Sequence, residues 1–147
     1  YSSLTGLITL ADDSGLDVDA LGGEPGVKSA RYGGPQASDA DRIRLILGNL
    51  NGIAWQDRTC RFWCVVAIAW PSGHVKTVKG VVEGIIEYQP RGRNGFGYDP
   101  IFYIPSLGRT MAELPLEEKN NLSHRGQAAR MALPLIKSAS ESETSAM

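Results

Sequence analysis

"LADDSGLDVDALGG", residues 10–23, places two adjacent carboxylates, Asp12 and Asp13, directly after an apolar run and before a Ser-Gly turn. The run "LITLA", residues 7–11, is bounded by Gly6 and the acidic pair, which is typical of a short buried strand ending at residue 11 or 12. We therefore expect the acidic pair at the carboxyl end of a strand, where open α/β sheets usually place ligands. Two like charges there repel each other, and a divalent cation, a proton or a helix N-terminus would relieve that repulsion.

The longer segments further along the chain predict an α/β fold with a mixed, twisted central sheet and flanking helices. The even positions between Thr59 and Trp70 are apolar, which predicts a long strand with one strongly buried face. Residues 74–88, "HVKTVKGVVEGIIEY", suit an antiparallel partner after a Pro-Ser-Gly turn. Between residues 38 and 50 an apolar stripe follows Ser38 and Asp41, which predicts a capped amphipathic helix.

Shorter signals predict the remaining elements. Residues 26–34, "GVKSARYGG", indicate a helical turn closed by glycines, and "YDPIFYIP" indicates a brief aromatic strand. Thr110 and Glu113 have the spacing of a capping box, and Pro115 restarts a short helical turn. Ser123 is placed to cap a final helix that ends near Lys137.

Length and composition predict one globular domain over residues 1–137 and a polar, disordered tail over 138–147. A net charge of −1 argues against broad binding to nucleic acid or to a membrane surface. The sequence contains neither an apolar run of about 20 residues nor a basic flank before an apolar signal core, so we expect a cytoplasmic protein. Cys60 and Cys64 fall on one face of the long strand, which predicts reduced core residues.

The acidic pair has two interpretations. Counted from Asp13, positions 3 and 6 are Gly15 and Val18, so the segment does not match a calcium-binding loop. One or two carboxylates in an open site are typical of Mg²⁺ bound to phosphates. The alternative is a set of turn caps and solvated acids.

The loop "PRGRNGFGYDP", residues 90–100, combines glycines and arginines with two aromatic residues. Its backbone N–H groups could surround an anion, although neither a Walker loop nor a dinucleotide fingerprint is present. Phe96, Tyr98 and Asp99 supply aromatic faces and a carboxylate, which suit a pocket that stacks a base and accepts hydrogen bonds from its edge. The alternative is a hairpin loop whose aromatic residues fill the core.

Basic residues gather before and at the start of the predicted final helix. His124 and Arg125 occupy its first positions and Lys119 lies one turn upstream, where free N–H groups favour anions and carbonyl oxygens. The alternative is a solvated basic cap. Arg31 could reach a phosphate or pair with an acid, and the sequence leaves both open.

Three motifs in one order resemble the non-canonical purine nucleoside triphosphate pyrophosphatases, also called inosine/xanthosine triphosphate pyrophosphatases. They are "ADDSGLDVDALGGEPGVKSARYGG", "GFGYDPIFYIPSLGRTMAELPLEEKN" and "SHRGQA". The resemblance runs from about Leu4 to Leu135. It implies Mg²⁺-dependent hydrolysis of ITP, dITP or XTP between the α- and β-phosphates, which gives the monophosphate and pyrophosphate. It also implies a homodimer.

The resemblance assigns roles to particular positions of this chain. It implies that Asp13 is the general base and the metal-associated carboxylate, and that Ser14 contacts the substrate. Positions that match the "FGYD" motif form part of the base pocket, and a lysine with a His-Arg pair completes nucleotide binding. By the resemblance, these substrate-binding positions are Phe96, Gly97, Tyr98, Asp99, Lys119, His124 and Arg125.

In one respect the sequence departs from the family pattern. Family members begin with a strand and a Gly-Asn-x-x-Lys phosphate loop, followed by a strand with a further acidic metal ligand, and neither precedes Tyr1 here. The opening "YSSLTGLITL" is typical of a helix end that passes through Gly6 into a strand, so we expect an N-terminally incomplete domain. Two classes of function follow: a pyrophosphatase, or a truncated, non-catalytic module that binds purine nucleotides.

Overall fold

Two long antiparallel strands form the centre of the sheet. In the computed structural model, which describes residues 1–144 with side chains through Ser138, they are β3 (Thr59–Ala69) and β4 (Val75–Ile86). Their register runs from Thr59 opposite Ile85 to Ala69 opposite Val75. The hairpin predicted from the alternating pattern is therefore confirmed.

The acidic pair lies within a strand. This strand, β1 (Thr9–Val18), pairs with β3 along its whole length. The predicted strand end at residue 11 or 12 is wrong, because the long β3 offers ladder partners to Asp12 and Asp13 and to every residue up to Val18.

One side of β1 remains an edge of the sheet for most of its length. The short strand β2 (Pro25–Gly26) pairs with β1 only at Leu16 and Asp17. From Thr9 to Ser14, therefore, β1 has a paired neighbour on one side only among the described residues. Charged side chains are common on such edges, because they remain in contact with water.

The sheet is completed by β5 (Phe102–Ile104) and β6 (Arg109–Thr110), in the order β2-β1-β3-β4-β5-β6. Every strand pairing in residues 1–144 is antiparallel, so the expected mixture of parallel and antiparallel strands is not found. The strands β2 and β3 lie on either side of β1, and both are antiparallel to it. They therefore do not pair with each other, and no parallel pair forms among the described strands. The α/β class, with a central sheet and flanking helices, is confirmed.

Helices flank the sheet. They are α1 (Ser2–Thr5), α2 (Asp39–Asn49), α3 (Leu116–Leu122) and α4 (His124–Thr144). The predicted capping box of α2 is present, with Ser38 accepting from the Asp41 N–H and the Asp41 carboxylate accepting from the Ser38 N–H. Residues 1–144 contain no helix with the length and apolar character needed to cross a membrane.

The last helix begins where the sequence predicts and ends later. The hydroxyl of Ser123 accepts the N–H of Gly126, which confirms the predicted cap. Helix α4 continues past Lys137 to Thr144, so residues 138–144 are helical where a disordered tail was expected. This segment contains alanine and glutamate and lacks glycine and proline, so nothing in it terminates a helix. Residues 145–147 of the predicted tail lie outside the described residues.

One face of the sheet carries two clusters of the core. The larger cluster packs α2, through Ile43 and Ile46, against β1, β3 and β4. In the smaller cluster, Ala128 and Ala132 of α4 pack against the second half of β3. Cys60 and Cys64 are both free and buried, as predicted, and burial raises the pKa of the Cys60 thiol.

Helix α4 approaches β4 most closely at Gly80. A β-carbon at Gly80 would collide with the carbonyl oxygen of His124 and would lie 2.8 Å from the backbone nitrogen of Ala128. The missing side chain therefore allows the first turn of α4 to lie directly on the strand. This contact fixes the position of the residues with which α4 begins.

We predict that Gly80→Ala lowers the free energy of unfolding by roughly 2 kcal/mol, because the added methyl group displaces the first turn of α4. Gly48→Ala in α2 is the matched control, since a β-carbon there meets nothing within 4 Å. That control should stabilise the protein by about 0.5–1 kcal/mol. Urea denaturation measures both changes, and equal stabilities for the two variants would contradict the importance of the close approach.

Candidate functional site

A cavity of about 1050 Å³ lies between the start of α4, the exposed part of β1 and residues 95–99, which we call the aromatic loop. Every site residue predicted from the sequence lines it. These residues are Asp13, Ser14, Phe96, Gly97, Tyr98, Asp99, Lys119, His124 and Arg125. The fold therefore brings three distant segments of the sequence to one site, although their individual roles remain predictions.

The acidic pair is divided between the two faces of the sheet. Side chains alternate along a strand, so Asp12 and Ser14 share one face and Asp13 belongs to the other. Arg125 donates to Asp12 Oδ2 at 3.3 Å from Nε and to Ser14 Oγ at 3.2 Å from Nη2. Arg125, at the start of α4, thus offsets the charge of Asp12, while the side chain of Asp13 lies on the opposite face. For these two reasons the adjacent carboxylates are tolerated.

Asp13 is exposed at the unpaired edge of β1 and forms no ion pair within residues 1–138. In the same range, no group of three or more His, Cys, Asp or Glu side chains is placed to hold a metal ion. A single free carboxylate beside a cavity nevertheless fits Mg²⁺, which is commonly held by one or two carboxylates together with substrate phosphates.

Asp99 organises the aromatic loop. Its buried carboxylate accepts from Lys119 Nζ at 2.5 Å and from the Phe96 N–H at 2.9 Å. Lys119 Nζ also lies 4.6 Å from the centre of the Phe96 ring, and the Arg125 guanidinium lies 5.6 Å from it. The Phe96 ring is 63% exposed, so it presents an aromatic surface flanked by two cations.

The two aromatic residues of the loop differ in accessibility. Tyr98 is buried and its hydroxyl donates to the Ser29 carbonyl at 2.8 Å. Burial raises the pKa of Tyr98 to about 12. The Gly97 N–H donates to Asp39 Oδ2 at 2.8 Å, which ties the loop to the start of α2. Of the two rings, only that of Phe96 is open enough to stack on a ligand.

His124 is buried at the inner wall of the cavity. Its ring stacks on Phe62 with centroids 4.9 Å apart, and Nδ1 has no hydrogen-bond partner in the described structure. Burial, followed by the charges of Arg125 and Lys119, lowers the pKa of His124 to about 4. The imidazole is therefore neutral at pH 7 and offers both an N–H donor and a nitrogen acceptor.

Sequence reasoning missed several residues of the cavity wall. Asp39 and Arg42 of α2 line it, although the sequence predicted only a capped amphipathic helix in this segment. Phe62 also lines it, although its place in the strand pattern indicated a core residue. No local signal marks these residues, because they reach the cavity through contacts between distant segments. Arg31 is exposed and is not among the lining residues.

Fold and site together define an α/β protein with a large cavity that combines cationic, acidic and aromatic side chains at the start of a helix. A family model described as the Ham1 family matches residues 1–135, and the chain belongs to that family. This membership confirms the family predicted from the three motifs.

Several known proteins are similar to the chain. A Thermus thermophilus protein named dITP/XTP pyrophosphatase is 53% identical over 133 residues, covering 90% of this chain and 64% of that protein. An Exiguobacterium protein of the same name is 56% identical over 125 residues, covering 85% and 63%. The chain therefore spans slightly less than two thirds of the length of these relatives.

Solved structures agree with this placement. The Staphylococcus aureus Ham1 protein matches with a TM-score of 0.87 and 43% identity, over 92% of this chain and 70% of that one. A HAM1 protein from Coxiella burnetii matches with a TM-score of 0.85 and 48% identity, over 91% and 69%. At 43% and 48% identity, these two structures support the assignment to the Ham1 family as well as the fold.

We predict that His124 makes stability depend on pH. The pKa of His124 is about 4 in the folded protein, against an ordinary value of 6.5, so the unfolded chain takes up the proton first as the pH falls. The free energy of unfolding should therefore decline between pH 6.5 and 4 by up to about 3 kcal/mol from this group.

The test compares urea denaturation of the wild type and of His124→Phe, which keeps the stacked ring and removes the titration. As the pH falls from 6.5 to 4, the free energy of unfolding of the wild type should decrease relative to that of His124→Phe. His74→Phe, in the exposed turn before β4, is the control and should retain the contribution of His124. A constant difference between wild type and His124→Phe over this range would contradict the assignment.

Proposed function

We propose that the protein is a hydrolase that converts non-canonical purine nucleoside triphosphates, namely ITP, dITP and XTP, to the monophosphate and pyrophosphate. The observation that carries this proposal is the convergence of all the motif residues on one cavity of nucleotide-accommodating size, about 1050 Å³. The names of the Thermus and Exiguobacterium relatives support the same activity. Removal of such nucleotides would cleanse the nucleotide pool.

In this proposal Asp13 acts as the general base. Its exposed carboxylate accepts a proton from the attacking water, the water oxygen bonds to the α-phosphorus, and pyrophosphate leaves. Asp13 would also hold Mg²⁺, which when bound would offset the negative charge of the polyphosphate. Ser14 and Arg125, which share a hydrogen bond at the cavity, are then placed to contact the substrate.

The base would lie on the Phe96 ring, with its 6-position toward the start of α4. Hypoxanthine and xanthine carry a 6-oxo acceptor where adenine carries a 6-amino donor. His124, Arg125 and the N–H groups of the first turn of α4 can donate to the 6-oxo group. Adenine would leave those donors unpaired, so the cavity discriminates by hydrogen-bond polarity.

We also propose that the protein forms a homodimer, is located in the cytoplasm and binds neither nucleic acid nor membranes. The net charge of −1 is consistent with this choice of partners. Light scattering of the purified protein tests the dimer. A monomeric species at micromolar concentration would contradict it.

A non-catalytic module that binds purine nucleotides is the second candidate, and the free Asp13 carboxylate favours the enzyme over it. The experiment that separates the two measures pyrophosphate release and nucleotide binding in the complete gene product. Binding of IMP without turnover of ITP would support the module.

We predict that Asp13→Asn lowers the turnover of ITP by at least about 10²-fold while the fold persists. The substitution removes the general base and the negative charge that would bind Mg²⁺. Asp12→Asn is the matched control, since Asp12 lies on the other face of the strand and contacts Arg125. Its effect should be milder. Pyrophosphate release measures both variants, and near-normal release by Asp13→Asn would overturn the assigned role.

We also predict a preference for ITP and XTP over ATP of up to about 10⁴-fold in kcat/KM, because adenine mismatches the donors around the 6-position. Arg125→Ala should reduce this preference. Steady-state pyrophosphate release with the three nucleotides provides the measurement. Equal kcat/KM for ITP and ATP would contradict the placement of the base even if Asp13 is essential.

A further inference from the structure

The ring of Phe96, on which the proposed function places the base, is poorly held by packing. Phe96 is 63% exposed, so the core does not fix the direction in which its ring points. The cations beside the ring, Lys119 and Arg125, lie 4.6 and 5.6 Å from its centre and leave its outer part open. The position of the ring therefore depends on the backbone that carries it.

Two hydrogen bonds hold the peptide groups on either side of the Phe96 α-carbon. The N–H of Phe96 donates to Asp99 Oδ2 at 2.9 Å, within the aromatic loop. The next N–H, that of Gly97, donates to Asp39 Oδ2 at 2.8 Å, although Asp39 is 58 residues away in the sequence. Because each peptide group is planar, holding both of them sets φ and ψ of Phe96 and so the direction of its side chain.

The Asp39 carboxylate is itself oriented. Asp39 is the first residue of α2, and its Oδ1 accepts Arg42 Nη1 at 3.1 Å from the next turn of the helix. The Arg42 side chain is only 15% exposed, so this partner is well ordered. One carboxylate oxygen is thus held by the helix, and the other is directed at Gly97. Hydrogen bonds to a charged acceptor are stronger than those between neutral groups.

The aromatic loop needs such a restraint because glycines flank Phe96. Gly95 and Gly97 have φ angles of 77° and 60°, in the left-handed region. Glycine adopts many other backbone conformations almost as readily, so the sequence of the loop alone does not define the direction of the ring. The contact from Asp39 removes this freedom on the carboxyl side of Phe96.

We infer that Asp39 is a positioning residue of the proposed site: by accepting the Gly97 N–H, it holds the Phe96 ring where the purine stacks. This inference rests on the proposed function and adds to it a link between α2 and the surface that receives the base. Asp39 acts on the nucleotide through the backbone of the aromatic loop. The alternative role, stabilisation of the helix N-terminus by a negative charge, is separated from it by the test.

The test is a double-mutant cycle on pyrophosphate release from ITP by the complete gene product. It compares the wild type, Asp39→Ala, Phe96→Ala and the double variant, because only a residue that acts through Phe96 loses its effect when the ring is absent. Asp41→Ala is the matched control. Asp41 also lies in the first turn of α2, but it accepts from Ser38 and pairs with Arg44. Inhibition by inorganic tripolyphosphate, which lacks a base, reports on the phosphate end of the site.

We expect Asp39→Ala to raise the KM of ITP by at least about 5-fold, because a hydrogen bond to a charged acceptor is lost. It should change kcat and the inhibition constant of tripolyphosphate by less than about 2-fold, since the reacting phosphates are untouched. In the Phe96→Ala background, Asp39→Ala should change KM by less than about 2-fold. Asp41→Ala should keep the wild-type KM, although loss of the capping box lowers the free energy of unfolding.

The same loss of affinity from Asp39→Ala with and without the Phe96 ring would overturn the inference, because Asp39 would then act independently of that ring. A matching rise in the inhibition constant of tripolyphosphate, or an equal effect of Asp41→Ala on KM, would overturn it as well. If Asp39→Ala does not fold, Asp39→Asn decides the matter in the same cycle, since it keeps the size of the side chain and removes its charge.

Failure of the inference is distinguishable from failure of the proposed function. If the wild type releases no pyrophosphate from ITP, the proposed function fails and the inference with it. If Phe96→Ala leaves the KM of ITP unchanged, the base does not stack on this ring, and both the placement of the base and the inference fail. If the wild type is active and Phe96→Ala raises KM, only the assignment of Asp39 is at risk.

Discussion

The close approach of α4 to β4 at Gly80 is the constraint on which the site depends. A side chain at this position would meet the backbone of the first turn of α4, so only glycine allows the helix to begin directly on the sheet. Further along the helix, Ala128 and Ala132 continue the contact against β3. These small residues set the distance between helix and sheet, and thereby hold His124 and Arg125 at the inner and outer parts of one cavity.

Polar contacts then join the cavity walls. Arg125 connects the start of α4 to Asp12 and Ser14 on β1. Asp99 holds Lys119 against the aromatic loop. The exposed pair of Arg125 and Asp12 contributes little to stability, because water screens it, whereas the contact of Lys119 with Asp99 is shielded by burial. The first contact therefore orients side chains, and the second fixes the shape of the loop.

Most polar groups that line the cavity are paired with one another, which keeps its wall ordered before any ligand arrives. Asp13, by contrast, has no ion-pair partner within the described residues. A preformed wall with a free carboxylate beside it is the arrangement expected of a specific binding site, because little ordering remains to oppose binding.

The local elements, including the hairpin of β3 and β4 and the capping boxes at Ser38 and Thr110, could be predicted from strand alternation and from contacts a few residues apart. The motif residues that line the cavity were predicted from the resemblance to a known family. The folded chain was needed to show that the acidic pair lies inside β1 on opposite faces, that the described strands are all antiparallel, and that Arg42 lines the cavity. These features depend on contacts between distant segments: Arg125 and Asp12 are 113 residues apart, and no local pattern records which distant segment a strand edge or a helix face will meet.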